Sequence, residues 1–524
     1  MEALEKHNMV CRLAVGDGET AGLVAACVGL ERSRAMPRMG DKVLRYVHFV
    51  GIGGAGMSAI ALVALELGVQ VTGSDLALSG ITDRLEKRGA RVSLGHAAAH
   101  LERPDAVVVS TAIRPDNPEV VEARRLGIPV LHRADMLSII MDRKKGIAVS
   151  GTHGKSTTTS MMATVFERTG QKPTWVVGAE VRDFNSGAGY GEGEYLIAEA
   201  DESDASFLKL HPFVAVATNI DNDHLDHYGT FECLVEAFRT FLSQTRPDGF
   251  SVVCADDPNL ARLAGEVPGR VVTYSLGAGE GRRAVGVPRD GGPGSPGTHY
   301  QVTGCSLEGW RSRFAVEREG TSLGEFVLMV PGRHNVANAT AVIATATEVG
   351  LPIREVASAL ADFSGTVRRL DPIGRARGVH VVDDYAHHPT EIAATLDAAR
   401  GLASSGRVIV VFQPHRYTRT RDLHAEFGQA FGGADAVVLT DIYPAMEPPI
   451  PGVTGELVYR DFQARPGQSV VYIPELGDIA AHLAALVRPG DFVLTMGAGD
   501  VRRVGPELLL LLDGQGLPGP ARRA

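Results

Sequence analysis

Short apolar runs alternate with longer segments of helical periodicity along most of the chain. From residue 46 the sequence YVHFVGIGG is followed by AGMSAIALVALELG and then by VQVTGSD. These three segments predict a strand with a glycine turn, a helix and a second strand. Further apolar runs follow at 106–111 and 128–132. Strands that alternate with helices in this way are typical of a parallel α/β domain.

The pattern repeats twice more toward the C-terminus. A second α/β unit opens at KKGIAVSGTHGKST and continues through EYLIAEADESD, FVAVATNIDNDHLD, a helix at 231–242 and FSVVCADDP. The segments YQVTG, SRFAVE and EFVLMV then predict antiparallel strands, and a helix is expected from about residue 335 to 349. A third unit has the apolar runs VHVVDD, RVIVVF, AVVLTD, VVYIP and DFVLTMG, with helices between them.

The length agrees with this division, because 524 residues at roughly 100–200 per domain suggest three domains. We expect an N-terminal domain at 39–144, a central domain at 145–365 and a C-terminal domain at 366–524. A flexible insertion rich in glycine and proline is expected at 275–300. Residues 1–38 are interpreted as a disordered or mis-started extension, since Met39 begins a self-contained sequence.

Composition favours a globular protein and argues against a nucleic-acid binder or a membrane protein. A hydrophobic content of 44% with 22% charged residues is ordinary for a globular protein. The net charge of −10 argues against a general nucleic-acid binder. The five cysteines show no CxxC pair, which favours a cytoplasmic protein with reduced thiols and no cysteine-bound zinc. No apolar run approaches the ~20 residues that span a bilayer, so we expect no membrane insertion.

A glycine loop, Gly51-x-Gly53-x-x-Gly56, follows the first strand and opens a helix. Glycines at these positions let the backbone turn tightly and approach a pyrophosphate at the helix N-terminus. Asp75 ends the next strand, where a carboxylate can hold a ribose hydroxyl. Two other interpretations stay open: a strand–helix turn without a ligand, and the cofactor site of a nicotinamide-dependent dehydrogenase.

A second loop, SGTHGKST, resembles a phosphate-binding P-loop, although Val149 stands where the general pattern has its first glycine. The backbone amides from Gly151 to Lys155 can surround phosphates, and the lysine can neutralise the β and γ oxygens. The Ser156 hydroxyl can bind Mg²⁺.

Acidic residues at two later strand ends can complete a metal site. One strand ends in Glu199, Asp201 and Glu202, and one of these acids can reach Mg²⁺. His224 lies among three aspartates just beyond the next apolar strand, which makes a second metal site possible. The alternative is that these acids form solvated turns.

Nine motifs in order resemble those of the Mur ligases: HFVGIGGAGMS, GTHGKST, EADESDASF, TNIDNDHLD, GRHNVANA, RRLDPIG, DDYAHHPTE, FQPHRYTRT and MGAGD. The resemblance covers about nine-tenths of the chain, from Arg45 onward. It is closest to the members that join L-alanine to UDP-N-acetylmuramate. It implies an α/β protein of three domains: an N-terminal Rossmann-like UDP-binding domain, a central P-loop ATPase domain and a C-terminal Rossmann-like domain for the amino acid.

The resemblance also implies the site residues. Those for catalysis are Lys155, Glu199, His224, Arg369 and Asp384. Those for ATP are Gly151, Thr152, His153, Gly154, Lys155, Ser156, Thr157, Asn335, Asn338 and Arg369. Those for Mg²⁺ are Ser156, Glu199 and His224. Those for the UDP-sugar are Gly51, Gly53, Gly54, Gly56, Met57, Ser74, Asp75 and Ser110. Those for the amino acid are Tyr385, His387, His415, Arg416 and Arg419, although either arginine can instead be part of a structural ion pair.

Two positions depart from the wider family pattern. Ala386 stands where glycine is common, and Phe238 stands where sister ligases carry a lysine that is carbamylated for metal binding. We therefore expect no modified lysine in this chain.

The implied reaction is ATP-dependent. The lactoyl carboxylate of UDP-N-acetylmuramate attacks the γ-phosphate to give an acyl phosphate, and the amino group of L-alanine then displaces phosphate. The implied partners are therefore UDP-N-acetylmuramate, ATP, L-alanine and Mg²⁺, with the protein a monomer or weak homodimer. The nearest alternative is a recycling ligase that adds a tripeptide to the same UDP-sugar. A nicotinamide dehydrogenase and a non-catalytic nucleotide-binding scaffold are alternatives from other classes.

Overall fold

The computed structural model describes residues 36–277, 296–462 and 464–515. The chain divides into two compact units: one runs up to Lys145 and includes Ala188–Glu192 and Lys209–His211, and the other contains the remainder. Residues 1–35 of the expected extension and 278–295 of the expected insertion lie outside the described residues. The proposed domain bounds stay a prediction. No described helix is both long and apolar enough to cross a membrane.

The first unit opens with two short paired strands and continues as a Rossmann-like sheet with its helices. Its elements are β1 (Arg38–Met39), β2 (Lys42–Val43), β3 (Tyr46–Val50), α1 (Ala55–Glu66), β4 (Gln70–Asp75), α2 (Gly80–Lys87), β5 (Arg91–Leu94), β6 (Ala106–Val109), α3 (Pro118–Arg125), β7 (Val130–His132) and α4 (Arg133–Met141). The order β5–β4–β3–β6–β7 is parallel throughout. Strand order reverses beside β3, so the loops after β3 and β6 meet at the carboxyl edge, where such folds bind ligands.

The first glycine loop lies at this edge. Gly51 adopts a positive φ of +75°, which favours glycine, and the Gly53 amide donates to Asp75 Oδ2 at 2.9 Å. A Cβ on Gly53 would lie 2.9 Å from the same oxygen, so a side chain at this position would force the loop away from Asp75. The Asp75 carboxylate therefore holds the loop as well as ending β4, a contact that sequence reasoning did not anticipate.

A buried carboxylate, that of Glu119, joins α3 to the sheet. It accepts a hydrogen bond from Ser74 Oγ at 2.6 Å and lies 2.8 Å from His100 Nδ1, 3.1 Å from His96 Nδ1 and 3.4 Å from His48 Nε2. Burial by itself raises the pKa of Glu119, but its contacts with His48, Ser74 and His100 outweigh burial and lower the pKa to about 2. Since Ser74 is an expected UDP-sugar residue, this carboxylate fixes part of that predicted site.

The chain continues with a ten-stranded sheet. Its elements are β8 (Lys145–Ser150), α5 (Lys155–Arg168), β9 (Thr174–Val181), β10 (Ser186–Gly189), β11 (Tyr195–Glu199), β12 (Val214–Ala217), α6 (Leu225–Tyr228), α7 (Phe231–Ser243), β13 (Phe250–Cys254), α8 (Pro258–Ala264), β14 (Val271–Ser275), β15 (Pro296–Glu308), β16 (Arg311–Arg318), β17 (Thr321–Leu328), α9 (Arg333–Glu348) and α10 (Ile353–Ala361). The order is β10–β9–β11–β8–β12–β13–β14–β15–β16–β17. The last three strands pair antiparallel, as their alternating sequence predicted.

The rest of the second unit is a six-stranded sheet. Its elements are β18 (Asp371–Ala376), β19 (Val379–Asp384), α11 (Pro389–Ala403), β20 (Val408–Phe412), α12 (Tyr417–Ala430), β21 (Ala436–Leu439), α13 (Glu456–Arg460), β22 (Ser469–Tyr472), α14 (Leu476–Leu486), β23 (Phe492–Met496) and α15 (Val504–Leu512). The order is β18–β19–β23–β20–β21–β22, with only the β18–β19 pair antiparallel. Apolar residues on both faces of β20 and β23 pack into two core layers under the helices.

The parallel α/β organisation predicted from the apolar runs is confirmed. Some observed strands end before the predicted run does; for example, the run 106–111 forms β6 only as far as Val109. Phe238 is fully buried on α7 and packs edge-on against Phe207, with ring centroids 5.3 Å apart. This position therefore belongs to the core of the second unit.

The Glu119 cluster generates a stability prediction. Glu119→Gln removes a buried charge from its partners, so we expect a loss of about 3 kcal/mol in local stability at pH 7, or about 100-fold weaker protection from hydrogen exchange. Because the folded-state pKa is lowered, the contribution of Glu119 is present above its ordinary pKa and is lost as the pH falls toward 2. Hydrogen exchange with mass spectrometry on β3 and β4 peptides measures the effect.

Glu122→Gln is the matched control on the same helix, because Glu122 pairs with Arg125 at the surface. Equal loss of protection in the two variants would contradict a special role for the buried carboxylate.

Candidate active site

Three neighbouring strands bring the second loop and its acids together. β8 lies between β11 and β12, and β8 pairs in parallel with β12. The P-loop follows β8, Glu199 ends β11, and residues 218–224 follow β12. The carboxyl ends of adjacent parallel strands share one edge, so residues distant in sequence form a single polar cluster there.

The P-loop conformation depends on two glycines. Gly151 has a φ of +138°, and a Cβ there would lie 2.0 Å from Thr218 Oγ1. Gly154 has a φ of +83°, and a Cβ there would lie 2.7 Å from Asn338 Oδ1. At both positions the positive φ favours glycine, and the neighbouring side chains leave no room for a Cβ.

Asn219 holds the middle of the P-loop. Its Oδ1 accepts from the His153 amide at 2.8 Å, and its Nδ2 donates to the His153 carbonyl at 2.9 Å. This two-point contact fixes the backbone at the position that precedes Gly154. Asn219 was not predicted as a site residue, because a single asparagine in a loop carries no distinguishing sequence signal.

The Lys155 ammonium is held inside the loop. It donates to the carbonyl oxygens of Gly151 at 2.8 Å and Thr152 at 3.1 Å, and to Glu202 Oε1 at 2.7 Å. Burial lowers the pKa of Lys155, but the charges of Glu202 and Asp201 outweigh burial and the net pKa is raised. Lys155 is therefore positively charged at neutral pH, and a lysine that binds phosphate must carry this charge.

The expected Mg²⁺ ligands lie beside Lys155. Ser156 Oγ donates to Glu199 Oε1 at 3.1 Å, and the Gly178 amide donates to Glu199 Oε2 at 2.8 Å. Burial raises the pKa of Glu199, and the charge of Lys155 opposes that shift without cancelling it. His224, held at a positive φ of +59°, places Nε2 3.5 Å from Glu202 Oε1.

Glu202 supports the same metal assignment. It is fully buried, and its Oε2 has no hydrogen-bond partner among the described residues. An orphaned carboxylate oxygen on a residue that contacts Lys155 and the His224 imidazole suits a cation. Sequence reasoning grouped Glu202 with Glu199 but did not select it, since position along a strand end alone cannot rank neighbouring acids.

His153 in the P-loop connects the two sheets of the second unit. Its Nε2 lies 2.9 Å from Asp221 Oδ2, and its Nδ1 lies 3.3 Å from Glu391 Oε1 at the start of α11. Burial lowers the pKa of His153, but the hydrogen bonds to the two carboxylates outweigh burial and raise the pKa to about 9. Thr390 Oγ1 also donates to Asp221 Oδ2 at 2.5 Å.

Arg369 and Asp384 lie at the other side of Glu391. Arg369 Nη1 is 3.6 Å from Glu391 Oε1, and its guanidinium lies 5.1 Å from the centre of the Tyr385 ring. Asp384 accepts the amides of Leu370 at 2.7 Å and Ala386 at 2.8 Å. Burial raises the pKa of Asp384 to about 6. The predicted linker arginine therefore faces the P-loop histidine through one shared carboxylate.

Asn335 and Asn338 occupy one face of α9, as their spacing predicted. Asn335 Nδ2 donates to the Pro331 carbonyl at 2.7 Å, and Asn338 Nδ2 donates to Asn335 Oδ1 at 3.4 Å. Both side chains are buried, and Asn338 lies against Gly154. The structure thus places these two amides next to the P-loop.

The predicted amino-acid residues gather at the ends of β19 and β20. The His387 and His415 rings lie 5.7 Å apart, and His415 stacks on Tyr443 at 5.7 Å. Burial lowers the pKa of His387 to about 4 and that of His415 to about 3, so both imidazoles are neutral at neutral pH. These rings form an uncharged aromatic wall.

Both predicted arginines form ion pairs within the chain. Arg419 binds Asp223 with Nη2 3.0 Å from both carboxylate oxygens, and the pair is buried. Arg416 donates to Asp226 at 2.8 Å and to Glu447 at 2.6 Å. The ion-pair alternative raised from the sequence is therefore seen, and Asp223 links α12 to the loop after β12. Asp223 was missed as the partner of Arg419, because a pair 196 residues apart is invisible to local patterns, and Glu391 was missed as the partner of the still more remote His153.

The expected UDP-sugar residues belong to the first unit. Gly51, Gly53, Gly54 and Gly56 form the loop between β3 and α1, while Ser110 follows β6 directly. Met57 is buried against the core, which leaves its backbone rather than its side chain at the loop.

The packing of Gly154 generates a second prediction. Gly154→Ala combines an unfavourable φ with a clash on Asn338, and we expect it to cost about 3 kcal/mol in urea unfolding followed by tryptophan fluorescence. Trp175 and Trp310 both lie in the second unit, so they report on it.

Gly170→Ala is the matched control, since Gly170 has a similar φ of +76° but nothing within 4 Å of its Cβ position. We expect it to cost about 1 kcal/mol. The double variant Gly154→Ala/Asn338→Ala removes the clash and recovers part of the loss. Equal losses at the two glycines would contradict the steric account.

Comparison with known proteins finds matches to Mur ligase family models along most of the chain. Three profiles match in order: "Mur ligase family, catalytic domain" at residues 46–145, "Mur ligase middle domain" at 149–346 and "Mur ligase, glutamate ligase domain" at 368–499. A UDP-N-acetylmuramate–L-alanine ligase of Desulforamulus reducens is 47% identical over 89% of this chain and 98% of its own length. One of Anaeromyxobacter sp. is 48% identical over 89% and 98%.

The solved structures that this chain resembles are also ligases of this family. The UDP-N-acetylmuramate-alanine ligase MurC of Thermotoga maritima is 30% identical, with a TM-score of 0.73 over 90% of this chain and 99% of its own. A murein peptide ligase of Psychrobacter arcticus shares the fold at 24% identity, with a TM-score of 0.63. The profiles together cover most of the chain, the relatives match nearly end to end, and the three-domain α/β fold expected from the motifs is confirmed; this chain belongs to the Mur ligase family.

Proposed function

We propose that the chain is an ATP-dependent ligase that joins L-alanine to the lactoyl carboxylate of UDP-N-acetylmuramate through an acyl phosphate, a step of peptidoglycan precursor synthesis. The observation that carries the proposal is the polar cluster around Lys155, Glu199 and His153, which suits a triphosphate. The names of relatives that are 47–48% identical over nearly their whole length support L-alanine as the amino acid.

The residues of this chain supply charge and position. Transfer of the γ-phosphoryl group to a carboxylate brings two anions together, so cations must offset their repulsion. Lys155 and the P-loop amides bind the phosphates, and Arg369 adds a second cation from the linker. Asn335 and Asn338 position the nucleotide from α9. The buried surroundings exclude water, which would otherwise hydrolyse the acyl phosphate.

Ser156, Glu199 and His224 would hold the metal ion, and Glu202 is added to this set on the basis of its orphaned oxygen. Mg²⁺ when bound supplies charge neutralisation for the phosphates. Lys155 and Glu202 are ion-paired, so the carboxylate holds the ammonium group at the place where it would bind phosphate.

Residues of the C-terminal sheet would bind the amino acid. Tyr385, His387 and His415 present neutral rings, which favour a small side chain over a charged one. Arg416 and Arg419 would bind the carboxylate of L-alanine while Asp223 and Glu447 keep them in place. The neutral histidines leave the arginines as the charged partners of the amino acid.

The first unit would bind the UDP-sugar through its glycine loop, with Ser74 and Ser110 near the pyrophosphate. We further propose that the protein acts in the cytoplasm as a monomer or weak homodimer, and that it binds neither nucleic acid nor membranes. The tripeptide ligase is the second candidate; a relative of that kind shares the fold but only 24% of the sequence.

Phosphate release from ATP tests the proposal directly. With Mg²⁺ and UDP-N-acetylmuramate present, we expect release to require L-alanine, together with a product one alanine residue heavier by mass spectrometry. Glu199→Gln should retain the fold and lose most of the rate. Release that needs the sugar but responds only to a tripeptide would favour the second candidate, and no release from any combination would contradict both.

Arg419 provides a prediction about amino-acid binding. Arg419→Lys keeps the charge but loses the two-point contact, so we expect KM for L-alanine to rise about 10- to 100-fold with KM for ATP little changed. Steady-state phosphate release at varied L-alanine measures the change.

Arg421→Lys is the matched control, because Arg421 lies two residues further along α12, is exposed and pairs with Asp422. An equal rise in KM for ATP and L-alanine in Arg419→Lys would indicate that Arg419 acts only through the fold.

A further inference from the structure

Three side chains from separate segments converge beside the P-loop. They are His153 of the P-loop, Asp221 of the loop after β12, and His388, which caps α11. One ligand atom from each lies within 4.8 Å of the others. His153 Nε2 is 2.9 Å and His388 Nδ1 is 3.6 Å from Asp221 Oδ2. Ligands bound at about 2.0 to 2.1 Å across a tetrahedral angle lie about 3.4 Å apart, so these separations suit one shared ion.

The remote ring nitrogens of both histidines are also engaged. His153 Nδ1 faces Glu391 Oε1 at 3.3 Å, and His388 Nε2 faces the Asn222 carbonyl at 3.3 Å. Metal-binding histidines almost always donate the second ring N–H to a carboxylate or a backbone carbonyl, which fixes the ring and its tautomer. These contacts leave Nε2 of His153 and Nδ1 of His388 facing Asp221, and Nδ1 of His388 also accepts the Thr390 amide at 3.4 Å.

The cluster is separate from the proposed Mg²⁺ ligands. Ser156, Glu199 and His224 contribute no atom to it, and the donors differ in kind. Two imidazoles and one carboxylate suit a borderline transition metal such as Zn²⁺, whereas Mg²⁺ takes oxygen ligands. Asp221 is 30% exposed, so an ion can reach the cluster from solvent.

We propose that His153, Asp221 and His388 form a second cation site, selective for Zn²⁺ or a similar divalent transition metal and distinct from the Mg²⁺ site. The site has three protein ligands and one open position for water or a phosphate oxygen. Because its ligands come from both sheets of the second unit, bound Zn²⁺ ties the P-loop to the first residues of α11. Occupation replaces the hydrogen bond between His153 and Asp221, and the longer one from the Thr390 amide to His388 Nδ1, with three metal–ligand bonds.

The test is Zn²⁺ titration by calorimetry into the full chain, freed of metal by a chelator and kept in excess Mg²⁺. We expect one equivalent to bind in the unaltered protein. His388→Gln and Asp221→Asn should each weaken that binding at least tenfold, while His224→Gln, at the proposed Mg²⁺ site, retains it. Co²⁺ as a probe should give visible absorption bands of a four-coordinate ion, and these bands should disappear in His388→Gln.

His424→Gln is the matched control, since His424 pairs with Asp461 at the surface of α12. Circular dichroism confirms that each variant is folded before it is titrated. The proposal is overturned if no equivalent of Zn²⁺ binds, if His388→Gln and Asp221→Asn bind as the unaltered protein does, or if His224→Gln alone abolishes binding. The test does not depend on ligase activity, so its failure leaves the proposed function untouched.

Discussion

Every cation proposed to meet an anionic substrate is paired with a carboxylate of the chain itself. Lys155 binds Glu202, Arg369 faces Glu391, Arg419 binds Asp223 and Arg416 binds Glu447. Buried charge is costly without a partner, so a site built for phosphates and carboxylates must neutralise its cations within the fold. The carboxylates also set the geometry, because each of them comes from a different segment than its cation.

This pairing joins the two sheets of the second unit. Asp223 and Asp221 follow β12, whereas Arg419, Thr390 and Glu391 lie on helices of the C-terminal sheet. His153 stands between Asp221 and Glu391, so the P-loop itself takes part in the contact. The carboxylates of Asp221 and Glu391 thus connect the proposed triphosphate site to the C-terminal sheet.

Sequence reasoning identified the residues whose roles follow from local pattern. Lys155 and Ser156 follow a strand and open a helix, and Glu199 ends the adjacent strand, so their proximity followed from parallel-sheet topology. It selected Arg416 and Arg419 as ligands of a carboxylate but left their protein partners unidentified. Sequence reasoning did not select Glu202, Asn219 or Glu391. The role of a single acid or amide depends on the residue that it contacts, and local sequence does not show that contact. Glu202 contacts a residue 47 positions away, Asn219 contacts one 66 positions away, and Glu391 contacts the still more distant His153.

The sequence by itself determined the alternation of strands and helices, the two glycine loops and the family. These features are local, since apolar periodicity and turn residues act over a few positions. Tertiary structure alone decided which charged side chains form ion pairs and that Gly154 packs against Asn338. It also decided that the Glu119 carboxylate contacts three histidines and Ser74. Those outcomes depend on strand order and on burial, and both arise only when distant segments share one sheet edge or one core.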